Sequence, residues 1–494
     1  MAITRRFFIG GAASFGALAG CRAFNAPAGL CRSGAKLRIG IVSDIHVDAA
    51  RGDFKKFGDT ETLEHALRYF AERGADGVMI VGDMADNGLK NQLQCVADAW
   101  NRVFPGNRAA DGRPVEKLFV YGNHDVEGQD YDHFSTRYFE KSSLEAMKIC
   151  NDPKRAWEEI FDEEYAPVWK KTVKGYDFIG AHWVQGHWEG IAPVRDWFAK
   201  NAKSLDPKAP FFFCQHLHPR GTCHLGHAWG EEGEKTAYAR EALNAFPNAV
   251  AFSGHSHTPL TDPSAIWQGE FTSIGTSSLR YGGGEYPMVC PTGYENGKTP
   301  KSDGFDQKAV DAAKLMGDEE REYAGWRTRQ GMLMSVFDDQ IVFERRDFIN
   351  DESLGDDWVV PLGDSRPFTP EANRALKAVP AFPCGAELAV EEGVRKNRKG
   401  EETSAVIVSF PSAQADALGR PRDYEIVCEQ EGREVFRRYL IDKGYSFSRR
   451  RASKTLHAVL PKSIFPTGTV SVRVIPRTVN DVKGDALVVE RSFT

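Results

Sequence analysis

The sequence predicts an α/β fold with a parallel sheet, followed by a smaller domain built of β-strands. Between residues 37 and 121, short apolar runs alternate with stretches of helical amphipathic spacing, a rhythm typical of parallel sheets. From about Val379 onward, short apolar runs alternate with turn residues and no long helix is apparent, which is typical of a β-sandwich. With 494 residues the chain is long enough for two or three domains.

The first predicted strands are short apolar runs joined by amphipathic helices. The strands are predicted at residues 37–42, 77–81 and 118–121, and the helices at 60–73 and 93–104. Further strands are predicted at 176–183, 211–214, 249–253, 272–277, 332–337 and 340–346, with a helix at 193–203. Residues 126–170 are expected to be a helical insertion or cap. The Gly-, Pro- and charge-rich residues 283–326 are expected to form a long loop near the site or to be partly disordered.

Six short apolar runs predict the strands of the C-terminal domain. They lie at residues 386–390, 404–410, 425–430, 455–460, 470–475 and 487–493. Residues 366–494 contain 22 Lys+Arg and 16 Asp+Glu, a net charge of +6; the whole chain has −6, so the remainder carries −12. We interpret this asymmetry as a solvated face that helps the domains dock, with contact to anionic lipid or glycan as the alternative.

The bulk composition excludes several classes of protein. Apolar residues make up 41% and charged residues 27% of the chain, as in ordinary soluble globular proteins. The net charge of −6 argues against a dedicated nucleic-acid binder. The nine cysteines are scattered and form no C-x-x-C pair, which argues against a disulfide scaffold or a zinc ribbon.

Residues 1–21 predict an export signal. Arg5 and Arg6 precede a weakly apolar run that is too short to span a bilayer, and the pair resembles the twin-arginine signal. The run ends in Leu-Ala-Gly-Cys, which resembles a bacterial lipoprotein box with Cys21 as the lipidated residue. Cleavage after Ala28 is the alternative. Residues 22–35 are interpreted as a tether, and the mature protein is expected to be periplasmic or membrane-anchored after export across the bacterial inner membrane.

Acidic, amide and imidazole side chains follow the ends of five predicted strands. They are Asp44 and His46; Asp83 and Asp86; Asn123 and His124; His216; and His255 and His257. One such block alone would indicate only a polar loop. Because ligands bind outside the carboxyl ends of strands in α/β sheets, the repetition predicts that these side chains meet in one cleft. The Asp-x-His spacing further predicts that Asp44 and His46 share one face of an extended segment.

In their order along the chain, these blocks resemble the calcineurin-like metallophosphoesterase superfamily. The blocks are Asp-x-His, Gly-Asp-x-x-Asp, Gly-Asn-His-Asp, a strand-end His and Gly-His-x-His. The resemblance covers about residues 37–348, within a catalytic domain expected at 36–365 and followed by the β-sandwich domain at 366–494. It implies a four-layer α/β/β/α sandwich and a phosphoesterase with two metal ions.

The resemblance also implies roles for single residues. One ion would be held by Asp44, His46 and His257; the other by Asn123, His216 and His255, with Asp83 bridging the two. His218 is the weaker alternative to His216. His124 would face the phosphate and assist the leaving group, and Asp86 would orient His124. Mixed nitrogen and oxygen ligands suit Mn, Fe or Zn, and the sequence does not choose among these transition metals.

Two cations would neutralise a phosphate ester and activate a hydroxide bridging them, which would attack the phosphorus. Residues 82–87 lack the Tyr of purple acid phosphatases and the Arg of Ser/Thr protein phosphatases, which favours the phosphodiesterase and general phosphohydrolase branches. Four further histidines are expected to be lid or structural residues: His182, His187, His224 and His227.

Two other functions stay open from the sequence. The first is a surface binding lipoprotein that uses its β-sandwich and keeps the α/β domain as a scaffold. The second is a nucleotidase or a phospholipid-headgroup or pyrophosphate hydrolase. The expected partner is a small phosphate ester, with no nucleic acid and with membrane contact only through a lipidated Cys21; the sequence does not predict the oligomeric state.

Overall fold

A computed structural model describes most of the chain after the predicted tether. The described residues are 34–47, 59–128, 152–184, 192–223, 230–231, 238–280, 328–375, 378–396, 401–414, 421–442, 444–445, 454–478 and 482–494. The chain divides into Met1–Arg32 and Ser33–Thr494, and every described residue lies in the second unit. None of the described helices is long and apolar enough to cross a membrane.

Several predicted features lie outside the described residues. These are the export signal with Cys21, the loop at 283–326, most of the cap at 126–170, and His187, His224 and His227.

The first part of the described chain alternates strands with helices. Its elements are β1 (Leu37–Val42), α1 (Asp59–Glu72), β2 (Gly77–Val81), α2 (Lys90–Val103), β3 (Glu116–Val120), α3 (Asn123–Glu127), α4 (Pro153–Phe161), β4 (Val168–Val173), β5 (Tyr176–Ala181), α5 (Pro193–Asn201), β6 (Phe212–Cys214), α6 (Tyr238–Leu243), β7 (Val250–Ser253), β8 (Ile266–Gln268), β9 (Thr272–Gly275), β10 (Gln330–Val336), β11 (Gln340–Asp347), β12 (Glu352–Ser353) and β13 (Trp358–Pro361).

These strands form two sheets. The first has the order β12-β11-β10-β1-β2-β3, with β13 also paired to β11, and the second has the order β4-β5-β6-β7-β9-β8. Strands β1, β2 and β3 run parallel, and so do β5, β6, β7 and β9. The predicted parallel sheet is therefore present, and antiparallel strands β10 and β11 extend it.

The two sheets pack face to face, with helices on their outer faces. Ile39 of β1 and Phe212 of β6 belong to the apolar layer between the sheets. On the other face of the first sheet, Phe119 of β3 packs against Trp100 of α2, with ring centroids 5.3 Å apart. The outer face of the second sheet packs against α5 and α6. Since alternate residues of a strand point to opposite faces, both faces of each sheet are buried, and the four-layer α/β/β/α arrangement is confirmed.

The C-terminal part of the chain forms the expected β-sandwich. After the short helix α7 (Pro370–Arg374), its strands are β14 (Ala389–Lys396), β15 (Glu402–Pro411), β16 (Pro421–Gln430), β17 (Arg433–Ile441), β18 (Thr455–Pro461), β19 (Gly468–Thr478) and β20 (Leu487–Phe493). One sheet has the order β14-β15-β18 and the other β17-β16-β19-β20. Residues from both sheets, such as Val408 and Val472, share one apolar core.

Five of the described strands were not predicted: β4, β8, β12, β13 and β17. Two of these are longer than four residues: β4, which begins at the end of the segment expected to be helical, and β17. Both are rich in charge, and each pairs with only one neighbour in its sheet, so their polar side chains can stay in solvent. Strand β4 enters β5 through a turn in which Lys174 and Gly175 have φ of 48° and 85°, a conformation typical of tight hairpins.

Candidate metal centre

The predicted ligand residues follow the carboxyl ends of β1, β2, β3, β6 and β7. Beyond β1, the amide of Asp44 donates to the Gly82 carbonyl at 3.0 Å, and the amide of His46 donates to the Asp83 carbonyl at 2.9 Å. In the second sheet, the amide of Gly254 donates to the His216 carbonyl at 3.1 Å. Hydrogen bonds that continue the strand pairing therefore bring the ligand loops together.

Five of the predicted ligands have left-handed backbone conformations. Asp44, His46, Asp83, His255 and His257 have φ of 51°, 47°, 50°, 67° and 50°. The predicted extended geometry of Asp44 and His46 is therefore wrong: the chain turns sharply after β1, and it is this turn that directs both side chains into the site. A non-glycine residue in this region costs about 1–3 kcal/mol and persists only where its surroundings hold it.

The ligand side chains converge in overlapping clusters. Their nitrogen and oxygen atoms lie within 4.8 Å of one another in three groups: Asp44, His46 and His257; Asp83, His216 and His255; and His46, Asp83 and His124. The Nε2 atom of His216 lies 3.0 Å from Oδ2 of Asp83, and Nε2 of His257 lies 2.9 Å from Oδ1 of Asp44. The first two groups correspond to the two predicted ion sites.

Two carboxylates lie at the centre of these clusters and are almost fully buried. Burial raises the pKa of Asp83, but the neighbouring His216 and His124 imidazoles lower it more, so this pKa lies well below its usual value. Burial lowers the pKa of His216, yet Asp83 and Asp44 outweigh burial and raise that pKa to about 9. The site therefore attracts positive charge.

The donor set fits transition-metal ions. His216 Nδ1 donates to the Val81 carbonyl at 2.8 Å, which leaves Nε2, 3.0 Å from Asp83 Oδ2, as the ring nitrogen that can bind a metal ion. Nε2 of His46 and Nε2 of His257 lie 3.3 Å apart. Imidazole nitrogens and carboxylate oxygens directed at one small volume are the ligands of Zn, Mn and Fe sites.

Three glycines leave room for the ligands. A Cβ atom at Gly82 would collide with the His216 ring, one at Gly122 with the Asp83 carboxylate, and one at Gly254 with the Asp44 carboxylate. Each glycine directly follows a predicted strand or precedes a predicted ligand in the sequence. Their role is therefore close approach between ligand loops from different strands.

The surroundings of Asp86 differ from the prediction. The prediction was that Asp86 orients His124; the Asp86 carboxylate lies instead beside His46, with Oδ1 3.2 Å from Nδ1 of His46. His124 instead has its Nδ1 2.7 Å from the backbone carbonyl oxygen of Asp86. Burial raises the pKa of Asp86, while the hydrogen bond with His46 outweighs burial and leaves the pKa well below its usual value. Asp86 thus holds His46 with its side chain and His124 with its main chain.

Asp125 supports the candidate site, although it was not among the predicted catalytic or metal-binding residues. Its carboxylate accepts hydrogen bonds from the amides of Ala85 at 2.7 Å and Gly122 at 2.8 Å, and it thereby joins two ligand loops. Burial, followed by repulsion from Asp83, raises the pKa of Asp125 to about 7. Asp125 closes the Gly-Asn-His-Asp block, which was the available signal. Asn123, in the same block, is buried at the start of α3.

A loop after β9, also unpredicted, supports Asp44 and His46. The hydroxyl of Ser278 donates to the Asp44 carbonyl at 2.9 Å, and the Arg280 guanidinium donates to the His46 carbonyl. The Thr276 hydroxyl donates to Ser43 Oγ at 2.6 Å. These are ordinary polar residues outside any motif, so only the folded structure shows their role.

Two other histidines have separate partners. His218 Nε2 lies 2.8 Å from Ser256 Oγ, and among the described residues His218 belongs to none of the three ligand clusters. His182 Nδ1 accepts a hydrogen bond from the Tyr121 amide at 3.0 Å, and its ring stacks on Tyr165. Burial lowers the pKa of His182 to about 3.

Replacing Gly122 by Ala is expected to weaken metal binding roughly 10- to 100-fold, the range for mutations that displace ligands. Gly122 has φ of −99°, so the backbone tolerates alanine and the effect comes from the collision with Asp83. The control is Gly112→Ala, at φ 83° with open space around the added methyl, which should lose about 1–3 kcal/mol of stability but no metal affinity. The metal affinities of both variants are measured by titration. Equal affinities of Gly122→Ala and Gly112→Ala would contradict the proposal that Gly122 leaves room for the Asp83 carboxylate.

His182 should make the protein less stable as the pH falls from about 6.5 toward 3. The unfolded chain binds a proton in that range while the folded chain, with the His182 pKa near 3, does not. His182→Asn should reduce the slope of stability against pH in this range by up to about 1.4 kcal/mol per pH unit. Urea unfolding at several pH values measures the slopes, and identical slopes for wild type and His182→Asn would refute the prediction.

Residues 37–259 match the family model of calcineurin-like phosphoesterases. No curated protein matches the chain. Similar solved structures include a dimetal phosphatase from Danio rerio, with 11% identity, TM-score 0.37, and coverage of 67% of this chain and 100% of that one. Another is a purple acid phosphatase from yellow lupin, with 13% identity, TM-score 0.40, and coverage of 67% and 56%.

Structural similarity at 11% and 13% sequence identity does not indicate the substrate of this chain. The family match covers all five ligand blocks, which the structure brings together in one buried site. Residues 37–259 therefore carry a calcineurin-like phosphoesterase domain, and this domain makes the chain a metal-dependent phosphoesterase.

Proposed function

We propose that this chain is an exported enzyme that hydrolyses small phosphomonoesters or phosphodiesters at a centre of two metal ions. The observation that carries the proposal is the position of Asp83 between two ligand groups. Its Oδ2 atom lies 3.0 Å from Nε2 of His216 and 3.6 Å from Nε2 of His46. A carboxylate placed in this way can bind two cations at once, which is the arrangement of two-metal hydrolases.

We assign the remaining ligands as the sequence predicted. One ion would be held by Asp44, His46 and His257, and the other by Asn123, His216 and His255. When bound, such ions neutralise the charge of a phosphate ester and lower the pKa of water. The backbone amide of His255 donates to both oxygens of Asp44, at 3.0 and 3.2 Å, and so fixes that carboxylate in place.

His124 is proposed to donate a proton to the leaving oxygen. Its backbone amide donates to Asp83 Oδ1 at 2.9 Å, and its Nδ1 is directed at the Asp86 carbonyl. Nε2 is then the ring nitrogen available for proton transfer. His124 is half-buried, while the ligand carboxylates are fully buried, so it lies at the solvent side of the site. Imidazole is suited to general-acid catalysis near neutral pH.

His124→Ala is expected to slow hydrolysis of an alkyl phosphate by about 10²- to 10⁴-fold, the usual contribution of a general acid. Hydrolysis of p-nitrophenyl phosphate should slow much less, because p-nitrophenolate leaves without a proton. Metal content should not change. His457→Ala, at an exposed histidine of β18, is the control. An equal loss on both substrates would exclude a general-acid role for His124.

The same assay defines the substrate class. The wild-type chain should be compared on p-nitrophenyl phosphate, bis-p-nitrophenyl phosphate, nucleotides and glycerophosphodiesters after loading with Mn, Fe or Zn. Turnover that needs metal and that is lost on chelation supports the proposal. Absence of metal-dependent turnover on every ester would oppose it and would favour the binding-lipoprotein alternative.

Export and lipidation are a separate part of the proposal and rest on residues 1–21 alone. In a bacterial host, the wild-type chain should fractionate with the membrane through a lipid on Cys21. Cys21→Ala should release the exported protein into the soluble fraction, while Cys31→Ala, ten residues along, should not. Membrane fractionation that is unchanged in Cys21→Ala would argue against lipidation at this residue.

A further inference from the structure

The loop carrying His255 and His257 continues into a segment that contacts the C-terminal β-sandwich. In this segment, residues 258–264, the Thr261 hydroxyl donates to the backbone carbonyl of Tyr445. The Tyr445 hydroxyl in turn donates to Oδ2 of Asp262. Both Asp262 and Tyr445 are buried. The β-sandwich therefore forms two hydrogen bonds with the segment directly after the ligand loop.

Tyr445 is held firmly by its own domain. It follows β17, and its amide donates to the Asp442 carbonyl at 2.9 Å. The Asp442 carboxylate accepts hydrogen bonds from the Tyr424 hydroxyl and the Gly444 amide, both at 2.6 Å. Tyr424 belongs to the core shared by the two sheets of the sandwich. The position of Tyr445 is thus set by the packing of the C-terminal domain.

Short links connect the Tyr445 contact to the ligand loop. Asp262 Oδ1 accepts from the Ser264 amide at 2.8 Å, and the Asp262 amide donates to the Pro259 carbonyl at 2.9 Å. The Leu260 amide donates to Oε1 of Gln330 on β10 at 2.7 Å, and the Leu260 side chain is buried between the catalytic sheets. Residues 258–264 are therefore fixed by the catalytic sheet on one side and by the sandwich on the other.

The ligand loop needs such support. His255 and His257 have φ of 67° and 50°, a backbone conformation that persists only where the surroundings fix it. The segment that fixes them begins at the next residue. Release of Asp262 and Thr261 from the sandwich would leave the loop to its contacts within the catalytic domain, such as the His255 amide on the Asp44 carboxylate and the Leu260 amide on Gln330. The two histidines would then be placed less precisely.

We propose that Tyr445 is a positioning residue for the metal centre, through which the C-terminal β-sandwich holds His255 and His257 in ligand geometry. The inference rests on the metal assignment under the proposed function. It gives the sandwich a role in the catalytic domain that a separate binding module would not have. It also predicts that metal affinity depends on a hydroxyl of another domain.

The test compares two Tyr→Phe variants of the full-length chain. Tyr445→Phe removes the hydroxyl that donates a hydrogen bond to the Asp262 carboxylate, and it keeps the aromatic ring. Tyr439→Phe is the matched control, because Tyr439 is also buried in the sandwich and its hydroxyl donates to a carboxylate, that of Glu425, at 3.3 Å. Mn²⁺ or Zn²⁺ is titrated into each metal-stripped protein, and thermal unfolding is measured without metal.

Tyr445→Phe is expected to weaken metal binding about 3- to 10-fold relative to Tyr439→Phe, the range for loss of one hydrogen bond. Thr261→Val, which removes the second contact, should weaken binding in the same direction and provides a second measurement should Tyr445→Phe fold poorly. In the double variant Tyr445→Phe/Asp262→Ala, the loss should be smaller than the sum of the two single losses, because both substitutions remove the Tyr445–Asp262 hydrogen bond. Asp262→Ala alone should cost more than Tyr445→Phe, because it also removes the hydrogen bonds from Ser264.

The outcomes separate this inference from the proposed function. A wild-type chain that binds no metal overturns the proposed function. A wild-type chain that binds two ions, with Tyr445→Phe and Tyr439→Phe equal in affinity, overturns the positioning role alone. If Tyr445→Phe and Tyr439→Phe both lose metal affinity to the same extent, the cause is the stability of the sandwich in general. That result would also overturn the positioning role of Tyr445.

Discussion

The arrangement of the site follows from one electrostatic constraint: two carboxylates are buried side by side. Asp44 and Asp83 are almost completely excluded from solvent, and each opposes the ionisation of the other. Buried charges persist only when they are paired or bind cations. The imidazoles of His216 and His257 lie against these carboxylates, and their ring nitrogens converge with the carboxylate oxygens. Metal ions would compensate the charge that these side chains concentrate in the core.

The surrounding residues bring the loops that carry these side chains close together and hold them there. Left-handed ligand residues turn each chain segment sharply into the site, and the glycines at 82, 122 and 254 let the loops come close. Asp125 ties the second and third loops together, and hydroxyls after β9 hold the first. Each ligand loop thus depends on groups from other strands. A site of this kind forms only when the sheets are assembled, so metal binding and folding are expected to be coupled.

The sequence predicted the features that depend on local pattern. Apolar runs placed β1, β2 and β3, and polar residues directly after them are among those that the structure brings together in the candidate metal centre. Features that depend on tertiary contact escaped prediction. Whether Asp86 meets His124 with its carboxylate or its carbonyl is decided by the turn after β2, and Arg280 reaches His46 across 234 residues of sequence. Strands β4 and β17 escaped because charged strands at a sheet edge have no clean apolar alternation.

The central claim is that side chains from five strand ends bind two metal ions, with Asp83 between them. Anomalous X-ray diffraction from crystals of the full-length protein grown with Mn²⁺ tests it most directly. Two anomalous peaks are expected, one beside Asp44, His46 and His257 and one beside Asn123, His216 and His255, both in contact with Asp83. No peak at these residues, or a single peak remote from Asp83, would contradict it.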